Sequence, residues 1–137
     1  MWWIYALLSA LFAGATAILA KIGIKNVDSD LATAIRTVVI IILAWAIVFY
    51  KNVLPGISGL TKQNWIFLIL SGIATGLSWV FYFKALQLGK VSQVAAVDKA
   101  STAIAIILAI VFLGEELTVK SAIGALLIVG GTFILIL

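Results

Sequence analysis

Residues 2–20 read WWIYALLSALFAGATAILA, from Trp2 to Ala20, without one charged side chain. A helix needs about 20 mostly apolar residues to cross the hydrocarbon core of a bilayer. It must be a helix, because no water is present there to satisfy open backbone groups. This run meets that length. Trp2 and Trp3 stand where an interfacial aromatic belt would lie, and Lys21 and Lys25 close the run. The run is too long for the core of a usual secretory signal. It lacks a basic n-region, and no small-residue cleavage site stands out, so it reads as a retained first span.

The pattern recurs along the chain. Asn26 to Asp30 forms a polar turn in which Asp28, Ser29 and Asp30 are suited to cap the next helix. Leu31 to Tyr50 follows as a second apolar run, with Arg36 as its one charge. Lys51 to Asn64 is the longest polar interval. It holds the only proline, Pro55, together with Gly56 and Gly59, and reads as a loop. Trp65 to Leu88 is the third run, carrying Lys84 near its end, and Gly89-Lys90 is a tight connection. Val91 to Leu113 is long enough for a fourth, but Asp98 and Lys99 interrupt it. Either that helix is continuous with its charges turned inward, or its first third is distorted. Gly114-Glu115-Glu116 ends it, and Thr118 caps a last run from Val119 to Leu137. The expectation is an all-α integral membrane protein with one domain over 1–137 and spans at 2–20, 31–50, 65–88, 91–113 and 119–137.

Composition agrees. Hydrophobic residues make up 65% of the chain and charged residues 10%, whereas soluble domains carry about a quarter charged. With no cysteine and no histidine, disulfide frameworks, zinc sites, haem and Cys- or His-based catalysis fall away. No catalytic dyad is visible, and no glycine-rich loop with Lys-Ser/Thr serves nucleotide hydrolysis. An enzyme, a cofactor and a bound metal are therefore not expected. The net charge of +4 marks topology and not a nucleic-acid partner, since the basic residues sit mostly at helix ends.

Five spans put the termini on opposite sides. Lys51, Lys62 and Lys120 fall on one side; Lys21, Lys25, Lys84 and Lys90, with Arg36 slightly deeper, fall on the other. The difference is small, as a dual-topology protein would show; a single winning orientation is the alternative. Because spans alternate in direction, Lys21, Arg36, Lys84, Asp98 and Lys99 all lie toward one side of the membrane. Lys21 and Lys84 can snorkel to the interface. Arg36, Asp98 and Lys99 lie deeper, where a charge costs a few kcal/mol or more unless paired or hydrated. One reading is a hydrated basic vestibule for anionic or zwitterionic solutes. The other is an internal ion pair of Asp98 with Arg36 or Lys84 that only fixes helix packing.

Smaller polar groups follow helical spacing. Ser71, Thr75, Ser78 and Tyr82 share one face of the third run; Tyr5, Ser9, Ala13 and Thr16 share one of the first; Thr33, Arg36 and Thr37 form a patch on the second; Ser101 and Thr102 follow the charge pair. Such faces turned together would wall a cavity, although single hydroxyls commonly bond their own helix four residues back. Gly72 and Gly76 make a Gly-x-x-x-Gly pair that permits close helix approach. The last run carries Gly124 and Gly131 on one face with Leu127 and Ile128 between, a seam suited to contact between two copies.

The stretch Phe112-Leu-Gly-Glu-Glu-Leu-Thr118, leading into Gly124-Ala-Leu-Leu-Ile-Val-Gly-Gly131, resembles the end of an EamA domain, the repeat unit of the drug/metabolite transporter superfamily. The order of five hydrophobic segments fits that domain over nearly the whole chain. The last run is also similar to the dimerising last helix of the small multidrug resistance proteins. The resemblance implies a half-transporter working by alternating access in the inner cytoplasmic membrane. Most family members carry two repeats in inverted orientation; one repeat implies a homodimer, which an antiparallel arrangement would complete. Two departures matter. Asp98-Lys99-Ala100-Ser101 stands where many two-repeat members have a mid-helix proline, and the first run lacks the membrane carboxylate of small multidrug resistance proteins. With the basic cluster, that absence argues against cationic drugs.

Three functions compete. The first is a secondary transporter of a small polar or anionic metabolite, with Thr33, Arg36, Ser78, Trp79, Tyr82, Lys84, Asp98 and Lys99 as the substrate-binding set. The second is a flippase for a lipid-linked carrier, its phosphate head group held by the same cations. The third is a non-transporting membrane assembly subunit.

Overall fold

The computed structural model describes residues 1–137. Its helices are α1 (Trp2–Gly23), α2 (Ser29–Tyr50), α3 (Lys62–Leu88), α4 (Val91–Lys99), α5 (Ser101–Leu113) and α6 (Val119–Ile136), with a short 3-10 turn over Leu54–Gly59 between α2 and α3. The segments α4 and α5 make one crossing, so the chain has five segments long and apolar enough to span a membrane. The 22 residues of α1 or α2 extend about 33 Å, close to the ~30 Å hydrocarbon thickness.

Local chemistry sets the ends. Asp28 caps α2: its carboxylate accepts the N–H groups of Asp30 and Leu31 at 2.9 and 3.1 Å, so the helix begins at Ser29, two residues before the apolar run. Helix α3 begins at Lys62, not at Trp65 as expected. Thr61 receives the Asn64 N–H on its hydroxyl at 3.2 Å and donates that hydroxyl to Asn64 Oδ1 at 2.7 Å. Lys62, Gln63 and Asn64 therefore form a first turn instead of loop. α1 likewise continues past Ala20 to Gly23, with Lys21 in its last turn, where a cation suits the helix dipole. α5 ends on Gly114 in the left-handed conformation, φ +67°. Thr118 and Ser121 exchange side-chain and backbone hydrogen bonds in a capping box that starts α6.

Span four follows neither reading in full: its first third is a regular helix, and the interruption falls at Ala100, one residue past the Asp98-Lys99 pair. α4 ends at Lys99 and α5 starts at Ser101. Ala100 between them stays right-handed, φ −61° and ψ −20°, and its N–H bonds three residues back to the Val97 carbonyl at 3.0 Å.

The chain divides into two compact units, residues 22–87 and residues 1–21 with 88–137. In the first, the buried positions are Ile24, Ser29, Thr33, Phe83 and Leu86. Gln87 at the end of α3 donates its side-chain amide to the Val27 carbonyl in the turn before α2. In the second, α6 packs against both α4 and α5, and Lys21 Nζ donates to the Gly89 carbonyl at 2.9 Å. Elsewhere large apolar side chains such as Leu43, Ile69, Val111 and Leu126 point outward. In water that would be untenable; in lipid the outer surface is as apolar as the interior.

Candidate functional site

On α2, Thr33, Arg36 and Thr37 share a face by their spacing. Both hydroxyls are used locally: Thr33 donates to the Ser29 carbonyl and Thr37 to that of Thr33, each at 2.8 Å. Arg36 is left as the group on this face with donors to offer. Its guanidinium carbon lies 4.4 Å from the centre of the Trp79 ring and 5.2 Å from that of Phe83. Trp79 and Phe83 are four residues apart on α3, one turn above the other on the same face. Phe83 is 2% exposed, and Tyr82 meets it edge-on with ring centres 6.4 Å apart.

Cation–π attraction of this kind is worth about 0.5–1 kcal/mol at exposed sites and ~2 when desolvated. It acts on the charge and does not consume the N–H donors. No carboxylate engages Arg36, because the chain's one ion pair is Lys99–Asp98. A planar guanidinium steadied in this way presents the fork that recognises carboxylate or phosphate oxygens two at a time.

Ser78 and Lys84 are exposed, and Trp79 and Tyr82 are half-buried. On the α3 stripe, Ser71 and Thr75 are exposed and Thr75 donates to the Ser71 carbonyl at 2.9 Å. Thr16 of α1 does the same toward Phe12 at 2.8 Å. Those threonines follow the local hydrogen-bonding alternative. Asp98 pairs at 3.2 Å with its chain neighbour Lys99, in place of the Arg36 or Lys84 expected; the side chains are 37% and 61% exposed respectively. Adjacent helical positions diverge around the axis, so this pair does not clamp two helices together. The packing role given to such a pair is thereby corrected.

The four α6 residues expected to share a seam are divided. Gly124 and Ile128 are half-buried, while Leu127 and Gly131 are exposed. A Cβ built at Gly72, Gly76, Gly124 or Gly131 meets nothing within 4 Å, so none of these glycines is a close-approach point inside the chain.

Sequence reasoning missed Phe83. An apolar aromatic within an apolar helix carries no signal of its own. The one available clue was its four-residue spacing from Trp79, which puts it beside any cation that Trp79 faces.

Across residues 1–137 the chain matches the EamA-like transporter family. It is similar to a Sinorhizobium protein described as an "uncharacterized transporter in cobO 3' region", with 44% identity over 134 residues, covering 98% of this chain and 95% of that one. No solved structure matches the chain.

Proposed function

The chain belongs to the EamA-like transporter family, and from that premise we propose that it is a secondary transporter of a small polar or anionic metabolite. It works in the cytoplasmic membrane as a homodimer, with the two copies antiparallel. The observation that carries the substrate class is Arg36, held over Trp79 and Phe83 with no acid to neutralise it. A cation within a span, supported by aromatic faces and left with open donors, is suited to an incoming anion.

Exposed polar groups support the second copy. Lys99 lies roughly 12 Å along span four from Val91 by helical rise, yet its side chain is 61% exposed. Lys84, Ser78, Ser101 and Thr102 are exposed as well. A single copy in lipid would leave these groups against hydrocarbon at a cost of a few kcal/mol for each charge. A second copy would shield such groups from lipid. The small difference in basic residues between the two sides is compatible with insertion both ways.

The test is flux in proteoliposomes against a panel of organic anions, amino acids and soluble lipid head groups. Arg36→Met and Lys99→Met should each abolish uptake of the transported anion while leaving membrane insertion intact. Wild-type flux in Arg36→Met would remove Arg36 from the substrate site. Head-group movement with no free-metabolite movement would favour the flippase reading of the same cations.

A further inference from the structure

Span four is the one crossing whose helical hydrogen-bond ladder is interrupted. Ala100 gives its N–H to Val97 at 3.0 Å. In an uninterrupted α-helix that N–H would go to Ala96. The Ala96 carbonyl accepts instead from the Thr132 hydroxyl of α6, at 3.0 Å. The same hydroxyl lies 2.8 Å from the Ile128 carbonyl, one turn back in its own helix. Thr132 is buried, in a helix that is otherwise apolar apart from its first turn.

A hydroxyl has one proton to donate, so two acceptors share it. They are not equivalent. Ile128 sits inside α6, where the ladder already serves its carbonyl. Ala96 has lost its ladder donor, and an unsatisfied carbonyl within the bilayer is strongly disfavoured. Thr132 therefore supplies from a neighbouring helix the hydrogen bond that Ala100 withholds. We propose that Thr132 is the positioning residue that sets the shape of span four. With its proton on Ala96, the break at Ala100 is held. With its proton turned to Ile128, Ala96 takes back the Ala100 N–H and α4 joins α5 as one continuous helix. One hydrogen bond to Ala96 replaces another, so the two shapes are close in free energy, as a two-state element requires.

The surroundings fit a joint at this place. α4 is fastened to α6 at a second point, where Gln93 Nε2 reaches the Ile136 carbonyl at 3.5 Å. α5 packs on α6 with no side-chain hydrogen bond between them. Asp98 and Lys99 form the last residues of α4, so straightening the joint re-aims both charges relative to α5. This inference concerns the shape of one crossing and does not depend on the substrate proposed above.

The chain has no cysteine, so spin labels can be placed at Ser92→Cys and Val111→Cys, exposed positions on either side of the break, in the full-length protein in lipid. A continuous helix would separate them by about 28 Å along its axis. The parent protein should show a shorter, bent population. Thr132→Val removes the donor and should move the distribution to the single longer separation, and Thr132→Ser should restore the bent one. Ala100→Pro has no N–H to return to Ala96, so it should stay bent with or without Thr132→Val. Thr132→Ala removes the same hydroxyl with a smaller side chain and should shift the distribution as valine does, even if the valine variant does not assemble. An unchanged distribution in a folded Thr132→Val or Thr132→Ala protein overturns the proposal, as does an equal shift in the Ala100→Pro background.

Discussion

The guanidinium carbon of Arg36 on α2 lies 4.4 Å from the ring centre of Trp79 on α3, and no acidic side chain competes for it. The arrangement separates two contributions that a generic basic residue would merge. The ring steadies the cation, and the N–H fork remains for a ligand. Removing the ring should therefore weaken binding without removing the charge. Trp79→Leu is expected to raise the KM for the transported anion roughly 2- to 30-fold, the equivalent of about 0.5–2 kcal/mol of cation–π attraction, with little change in maximal rate. Arg36→Lys keeps the charge and loses the bidentate fork, so it should retain weak flux where Arg36→Met retains none. Concentration-dependent uptake in proteoliposomes distinguishes the three. Equal loss in Trp79→Leu and Arg36→Met would mean that the aromatic contact organises the fold and not the ligand.

All of this cluster but Phe83 was legible in the sequence. Arg36 stood out because a charge in an apolar run demands an explanation, and Trp79 because an indole beside serine on a polar face is conspicuous. Phe83 did not, since burial against a cation and exposure to lipid select the same kind of side chain. The Asp98–Lys99 pair failed in the opposite way. Complementary charges at matching depths suggested partners on different helices, whereas contact with the adjacent residue needs no tertiary arrangement at all.

Solvent access tests whether the outward polar groups face water. Ser78 and Lys99 are exposed, and so is Leu126, an apolar residue of α6. Lipid and a hydrated path differ in the reagents they admit. Cysteine at position 78, 82 or 99 should react with a membrane-impermeant thiol reagent in reconstituted protein, and Leu126→Cys should not. If the first three resist as completely as Leu126→Cys, the cavity reading fails.

Helix ends offer stability predictions independent of function. The Asp28 carboxylate holds two N–H groups at the start of α2. Asp28→Ala should lower stability by about 1 kcal/mol, and Asp28→Asn or Asp28→Ser should recover most of it. Gly114 has φ +67° at the end of α5, a conformation that L side chains adopt at a cost. Open space surrounds it, so Gly114→Ala should cost about 1 kcal/mol from backbone strain alone. Thermal unfolding in detergent measures both. These ends were readable in advance because capping acts between residues close in sequence. The bond from Thr132 to the Ala96 carbonyl beside the break was not, since Thr132 lies thirty-two positions from Ala100 and on another helix.

The outer face of α6 gives the sharpest test of the proposed homodimer. Leu127 and Gly131 are exposed, as is Ile123 one turn before Leu127, while Gly124 and Ile128 are half-buried in the packing of the single chain. If two copies associate antiparallel through this face, Ile123 of one lies near Gly131 of the other. Two Ile123 residues would then be about 12 Å apart along the axis by helical rise, beyond the ~7 Å Cα separation that a disulfide spans. The absence of native cysteine leaves the pairing unambiguous. Mixed copies carrying Ile123→Cys and Gly131→Cys should cross-link on oxidation in the membrane, and Ile123→Cys alone should not. Self-cross-linking of Ile123→Cys alone would instead mark a parallel pair. Gly131→Leu, whose Cβ meets no atom of its own chain within 4 Å, should abolish the cross-link that Leu127→Cys forms with Leu127→Cys of the second copy in this register while leaving α6 docked on α4, because the added bulk stands on the face where the second copy would.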